Sequence, residues 1–301
     1  MSRNLLVAAL ANVASAYLVC GTAFVSQPRS TDRLLLEVRA FSPNKTELNY
    51  SSALEEDCWK EALIDPKVSH DRLSSGEKIR TGESVFLLSD FTSEEECAEL
   101  ASACSKAAGS HRKLVVKPGS GSPDLVRLPT LSAAARAVKR NTPCAKALPE
   151  DLDKECNRLL LKISARVDQQ MESIGRSLFS GCSLHRLYLE DALGFASREP
   201  AVNVYTSGGH FLPHEDGHSL TVLVPLSRPD HDFTGGGTAF WPQDSRGPRV
   251  VPPTLVLRPK AGTAMLFGGS VTHSGVAVET GERVVLVASF SPGRISGTQP
   301  G

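Results

Sequence analysis

Residues 201–216 read Ala201-Val202-Asn203-Val204-Tyr205-Thr206-Ser207-Gly208-Gly209-His210-Phe211-Leu212-Pro213-His214-Glu215-Asp216. The first five form a short run with β-branched and aromatic residues, the composition of a strand. Ser207-Gly208-Gly209 has turn chemistry, and a second strand carrying His214 and Asp216 follows. From Cys182 onward the same texture repeats. Leu184 to Leu189, Leu220 to Leu226, Thr238 to Trp241, Thr254 to Leu257, Thr263 to Phe267 and Arg283 to Phe290 are short apolar runs divided by Gly, Pro, Asp and Ser clusters. Strands at this spacing, with no helical period between them, predict a β-sandwich or jelly roll.

Upstream the period changes. Leu152, Cys156, Leu159, Ile163, Val167, Met171, Ile174 and Leu178 recur in steps of three and four, one apolar stripe on a helix of about 28 residues from Glu150 to Ser177. Such a stripe packs a support helix onto a sheet. Thr92-Ser93-Glu94-Glu95 follows the capping-box pattern and launches a helix through Cys97, Leu100 and Cys104. Ser84 to Leu88 reads as a strand, and Lys117 to Pro123 as a mobile loop. Residues 24–78, polar and broken by Pro43 and Pro66, read as a linker or stem with at most short helices.

On an extended strand, residues i and i+2 face the same side. His214 and Asp216 can then grip one ion while Glu215 points away. His273 follows Asp216 by 57 positions, and from a distant strand it would close one face of an octahedron. Two imidazoles and one carboxylate leave three coordination positions open, the donor set of non-haem Fe(II) oxygenases. A chelating 2-oxo acid fills two of these and O2 the third. Zinc would more often be four-coordinate with a single open position.

Lys+Arg and Asp+Glu both number 33 in the 301 residues, so the formal charge is zero. That leaves no electrostatic footprint for nucleic acid or for an anionic lipid surface, and a peptide or small-molecule substrate fits better. The N-terminus differs from the rest. Arg3 precedes a mostly apolar run from Leu5 to Val19, and Gly21-Thr22-Ala23 offers small residues where a signal peptidase reads. A cleaved secretory signal over residues 1–23 is expected, with a retained membrane anchor as the main rival; membrane contact follows only from the anchor. The expected location is the secretory pathway, in the lumen or membrane of the ER or Golgi. A two-part plastid presequence is the third reading, because Phe24 falls just after the cleavage point.

Seven cysteines are present, and loss of Cys20 with the signal leaves six, an even number suited to an oxidising compartment. Cys97 and Cys104 sit two turns apart on one helix, too far to bridge each other. No Cys-x-x-Cys occurs, which argues against a structural zinc site. Asn44-Lys45-Thr46 and Asn49-Tyr50-Ser51 match the glycosylation pattern and matter only on the secretory reading.

Over about Ser84 to Pro292 the chain resembles the prolyl 4-hydroxylase and lysyl hydroxylase group of Fe(II)/2-oxoglutarate-dependent dioxygenases. The resemblance is strongest over Ala201 to Ser291. Asn203 to Asp216 looks like the group's tyrosine, glycine turn and iron-binding strand, and Phe233-Thr234-Gly235-Gly236-Gly237-Thr238-Ala239-Phe240 like its glycine-rich strand. Arg258 to Phe267 resembles the strand leading to the distal histidine. His273-Ser274-Gly275-Val276 with Gly281-Glu282-Arg283 resembles the closing motif, and Leu88 to Thr92 with Glu95-Glu96-Cys97 the opening strand and helix. The resemblance implies Fe(II) on His214, Asp216 and His273, and Arg283 clamping the far carboxylate of 2-oxoglutarate through paired donors. It implies further hydroxyl donors from Tyr205 and Thr238, and ascorbate as reductant. The implied reaction hydroxylates a substrate C–H bond and releases succinate and CO2. Arg283 is also a departure, because collagen-type and plant-type prolyl 4-hydroxylases usually carry lysine there. Arginine and the triple glycine Gly235 to Gly237 lean toward the lysyl side.

The expectation is an α+β protein: a double-stranded β-helix (jelly roll) core over 181–293, an N-terminal helical support region over 79–180, and a tail over 294–301. The favoured activity is hydroxylation of a peptidyl proline or lysine. The alternatives are a dioxygenase of a free amino acid or other small metabolite, and a non-catalytic jelly-roll binding module. His210 and His218 flank the iron motif and are expected at the surface or behind the ligands. His185 and His231 are expected to be structural or solvated, and Trp241 to pack in the core.

Overall fold

The computed structural model describes residues 59–65, 72–89, 91–109, 122, 124–141, 147–243, 248 and 251–293. The expected signal or anchor, the glycosylation triplets, the C-terminal tail and the 117–123 loop apart from Ser122 lie outside the described residues. Among the described residues, no helix is long and apolar enough to cross a membrane.

The architecture follows from β14 (Arg283–Pro292), the longest strand. Val284, Leu286, Ala288 and Phe290 point one way, into the large core shared with the helices, while Val285 faces a separate interior cluster. This period of two is the pleat of a strand buried on both faces. Its neighbours are β7 (Leu220–Pro225) on one side and β5 (Ala201–Tyr205) on the other, both antiparallel. Beyond β7 come β11 (Ala264–Phe267), β2 (Ser84–Leu88) and β1 (Trp59–Leu63). Beyond β5 comes β3 (Leu125–Pro129), and β4 (Leu193–Phe195) pairs with the end of β14. These eight strands form the larger sheet.

A second sheet runs in the order β10 (Leu255–Leu257), β9 (Thr238–Trp241), β12 (Thr272–Gly275), β6 (Phe211–His214), and β8 (Phe233–Gly235) pairs with β13 (Val278–Gly281). Phe240 and Leu255 from this sheet pack with Leu87, Met265 and Phe267 from the larger one. The result is the expected jelly roll, two antiparallel sheets facing each other over an interior.

The helices cover the outer face of the larger sheet. Cys97, Leu100 and Cys104 of α2 (Glu94–Gly109) and Leu152, Cys156, Leu159, Ile163 and Val167 of α4 (Glu150–Gln170) share one core with Val202, Val222 and Leu286. Burying each such aliphatic side chain is worth about 1.5–3 kcal/mol. The capping box of α2 lies one residue later than the pattern suggested. Glu96 N–H donates to Ser93 Oγ at 3.1 Å, and Ser93 N–H to Glu96 Oε2 at 3.1 Å. Shorter helices join the layer, among them α1 (Ser75–Arg80), α3 (Leu131–Lys139) and α5 (Glu172–Leu178).

Three expectations are corrected. The single helix from Glu150 to Ser177 is two helices, broken at Met171 (φ −134°, ψ 49°). The apolar stripe runs across the break because Met171, Ile174 and Leu178 stay buried, so periodicity alone hides it. The second helix meets α1 at Gly76, where a Cβ would collide with the Ser173 carbonyl oxygen; only glycine allows that approach. Leu184 to Leu189 is not a strand but the helix α6 (Leu184–Leu189). Ser183 Oγ caps Arg186 N–H, and the Asp168 carboxylate reaches from α4 to take the N–H groups of Leu184 and His185 at 2.9 Å each. A carboxylate at orphan first-turn amides favours a helix whatever the strand propensity of the run. Finally, part of the 24–78 stretch is built into the fold, since β1 pairs along its whole length with β2, and Trp59 packs on Phe86 at 5.6 Å between ring centroids.

Candidate functional site

The second sheet brings the three expected ligands together. His214 ends β6, His273 lies on β12, and the two are direct cross-strand partners. Asp216 stands just past the end of β6 rather than within it. One ligand atom from each of the three falls within 4.8 Å of the others. Asp216 Oδ1 is 3.4 Å from His214 Nε2, and its Oδ2 is 3.6 Å from His273 Nε2.

The tautomers follow from the backbone. His214 Nδ1 meets the Leu212 carbonyl at 2.8 Å and His273 Nδ1 meets the Val271 carbonyl at 3.0 Å. A carbonyl only accepts, so each Nδ1 carries the proton and each Nε2 presents a lone pair toward the carboxylate. Burial pushes His273 down to about 4, which keeps its ring neutral. Burial alone would push the Asp216 carboxyl up, but the group is held below the usual carboxylate range, with the Thr221 hydroxyl donating to its Oδ2. Two neutral imidazoles and one carboxylate, held by second partners and aimed at one point, suit ferrous iron. His214 has 28% of its side chain exposed against 6% for His273, so the site opens past His214.

The remaining predicted residues gather beside it. Gly275, two residues beyond His273, is the β12 partner of Thr238 on β9. That places Thr238 about 7 Å along the strand from the histidines. Arg283 begins β14 opposite Tyr205 on β5. Its Nη2 donates to Thr238 Oγ1 at 3.1 Å, and its guanidinium carbon lies 5.3 Å from the centre of the Tyr205 ring. Arg283 is 3% exposed, and among the described residues no carboxylate pairs with it. Burial lowers its pKa from the ordinary value. A buried guanidinium without an anion, flanked by two hydroxyls, fits one carboxylate of a dianion.

Residues 200–290 match the model of the 2OG-Fe(II) oxygenase superfamily. Over those residues the chain is similar to that superfamily. Among curated proteins no sequence matches. Solved structures similar to this chain include a viral collagen prolyl hydroxylase from Paramecium Bursaria Chlorella virus-1, in a 2OG complex. It is 16% identical, with 71% of this chain and 98% of that chain covered and a TM-score of 0.42. A prolyl-4-hydroxylase from Pseudomonas putida is 15% identical over 72% and 95%, with a TM-score of 0.42. A non-heme alpha ketoglutarate dependent epimerase from nogalamycin biosynthesis is 17% identical over 77% and 89%, with a TM-score of 0.43.

The site also contains residues that no sequence motif marks. Thr221 on β7, fully buried, donates its hydroxyl to Asp216 Oδ2. Asn203 on β5, 5% exposed, donates to the Tyr205 hydroxyl at 3.3 Å. A polar residue in an otherwise apolar strand, two positions before a site tyrosine, was the available signal for Asn203. The flanking histidines do not join the cluster. His210 Nδ1 bonds the Gly208 carbonyl at 2.9 Å, and His218 Nε2 is buried with no hydrogen-bond partner among the described residues. His185 meets Ser164 and His231 meets Asp232. Trp241 is fully buried and donates Nε1–H to the Val251 carbonyl, a packing role.

Proposed function

We propose that the protein is a 2-oxoglutarate-dependent dioxygenase that hydroxylates a C–H bond of a peptidyl proline or lysine. The observation that carries this reading is the convergence of His214, Asp216 and His273 beside the buried Arg283, which no carboxylate among the described residues pairs with. Ferrous iron on those ligands would couple decarboxylation of 2-oxoglutarate, giving succinate and CO2, to insertion of one oxygen atom of O2 into the substrate C–H bond. The chain's own groups do the rest. Arg283, Tyr205 and Thr238 anchor the distal carboxylate and so fix how the cosubstrate enters. Phe211, Phe240 and Phe267 pack around the two imidazoles and exclude water from that side. The exposed edge of His214 leaves a mouth that a side chain on a peptide can enter. The neutral overall charge favours a peptide or metabolite over nucleic acid. Ascorbate as reductant, and a secretory location, belong to the same proposal.

The test is succinate release from 2-oxoglutarate with Fe(II), scored against His214→Ala, together with mass spectrometry for gain of one oxygen across Pro-containing peptides, Lys-containing peptides and free amino acids. Oxygen gain on the peptides supports the reading. Oxygen gain only on free amino acids or metabolites overturns the peptidyl assignment, and succinate release unchanged in His214→Ala overturns the site.

A further inference from the structure

Beside the proposed cosubstrate clamp lies a polar chain that the reaction as described does not use. Arg127 on β3 donates Nε–H to Asn203 Oδ1 at 3.1 Å and Nη2–H to Glu199 Oε1 at 2.7 Å. Glu199 is 5% exposed, and its other oxygen accepts the Ser289 N–H at 2.7 Å. Both carboxylate oxygens are therefore occupied, and the ion pair pins the guanidinium in place. Asn203 continues the chain by donating Nδ2–H to the Tyr205 oxygen at 3.3 Å.

Direction matters here. A guanidinium only donates, so the carbonyl end of the Asn203 amide must face Arg127. The amide NH2 then faces Tyr205, and it too only donates, so the phenol oxygen is the acceptor. The phenol's own proton is left over, and among the described residues nothing accepts it. Thr238 shows the same polarity, because its oxygen accepts from Arg283 and its proton is left over. Without Arg127, the Asn203 amide could rotate by half a turn and take the phenol proton for itself.

We infer that Arg127, held by Glu199 and acting through Asn203, is a positioning residue that orients the Tyr205 hydroxyl to donate into the cosubstrate's carboxylate. This rests on the proposed 2-oxoglutarate site. The experiment is calorimetric titration of 2-oxoglutarate, without oxygen, into the Mn(II)-loaded protein. Tyr205→Phe, which deletes the donor, weakens binding about tenfold. Asn203→Asp keeps the shape and a partner for Arg127 but turns an acceptor toward the phenol, and it weakens binding by about the same factor. Asn203→Leu removes the amide without capturing the proton and costs less, about threefold or under. A purely structural role gives the opposite order, with the leucine variant the worse of the two. Arg127→Leu, made with Glu199→Gln so that no carboxylate is left unpaired inside, weakens binding severalfold. In a Tyr205→Phe background neither the aspartate nor the Arg127 variant weakens binding further. Wild-type affinity in Asn203→Asp, or losses that persist in full without the hydroxyl, overturn the inference. Should the Arg127 variant fail to fold, the two Asn203 variants still decide it. A wild-type protein that takes up Mn(II) but no 2-oxoglutarate overturns the cosubstrate site itself.

Discussion

His273 stands directly across the β12–β6 pair from His214, their ring centroids 4.3 Å apart. The two imidazoles are separated by 59 positions in the chain, yet a single strand pairing sets their spacing. Each ring's tautomer is then set by a backbone carbonyl two residues before it in the chain. A metal at this point would cross-link the strand pair, so the site and the fold of the second sheet stabilise each other.

Asp216 gains its orientation from outside that pair. Thr221 lies on β7 of the opposing sheet, is 0% exposed, and donates to Asp216 Oδ2. Replacing it with valine keeps the volume and removes the donor. We expect Thr221→Val to weaken Mn(II) binding by about 10–100-fold, measured by calorimetry at constant pH. Unchanged affinity would show that Asp216 needs no second partner.

Much of this was legible because two periods are hard to mimic. The strands around Ala201 to Tyr205, Leu220 to Leu226 and Arg283 to Phe290 showed themselves by short runs between turn residues, and the three candidate ligands by their residue types and order. What the chain hid was set by partners distant in sequence. The α6 helix depends on Asp168, reaching over from α4. The break at Met171 leaves the hydrophobic spacing intact, so no one-dimensional pattern marks it. Thr221, Glu199 and Arg127 enter the site neighbourhood through pairing or loop geometry, and no local motif singles them out.

Substitution of Arg283 tests the proposed cosubstrate binding apart from metal binding. It touches Thr238 and the Tyr205 ring but none of the three ligands. Arg283→Met should raise the KM for 2-oxoglutarate by about a hundredfold, the loss of a charge-assisted pair, while leaving Mn(II) affinity unchanged. Arg283→Lys should lie between, since an ammonium keeps the charge but not the two-pronged geometry. Equal metal loss in both variants would mean that Arg283 holds the fold of the site rather than its ligand.

The triple glycine also has a physical task. Gly236 has φ +67°, and a Cβ there would lie 2.9 Å from the Phe233 ring and 3.1 Å from Arg283 Cδ. Both the backbone conformation and the contact resist a side chain. Gly236→Ala should lose about 1–3 kcal/mol of stability, read as a lower Tm, and should weaken 2-oxoglutarate binding by displacing the guanidinium. A variant with wild-type Tm would show that the loop relaxes freely.

The cysteines give a test of packing that is independent of the proposed chemistry. Among the described residues Cys97, Cys104, Cys156 and Cys182 are free, and of these four only Cys182 is exposed. Burial in the helix–sheet core pushes Cys97 up to about 11 and Cys104 up to about 12, and it raises Cys156 well above the ordinary range. Since the thiolate is the reactive form, at pH 8 only about one molecule in a thousand would be reactive at Cys97, and about one in ten thousand at Cys104. Brief alkylation at pH 8, mapped by peptide mass spectrometry, should therefore label Cys182 and spare the other three until denaturant is added. Rapid labelling of Cys104 or Cys156 in the native protein would mean that α2 and α4 separate from the sheet on the timescale of the reagent. The helices would then be a loosely held cover, not the support on which β14 and its site residues are mounted.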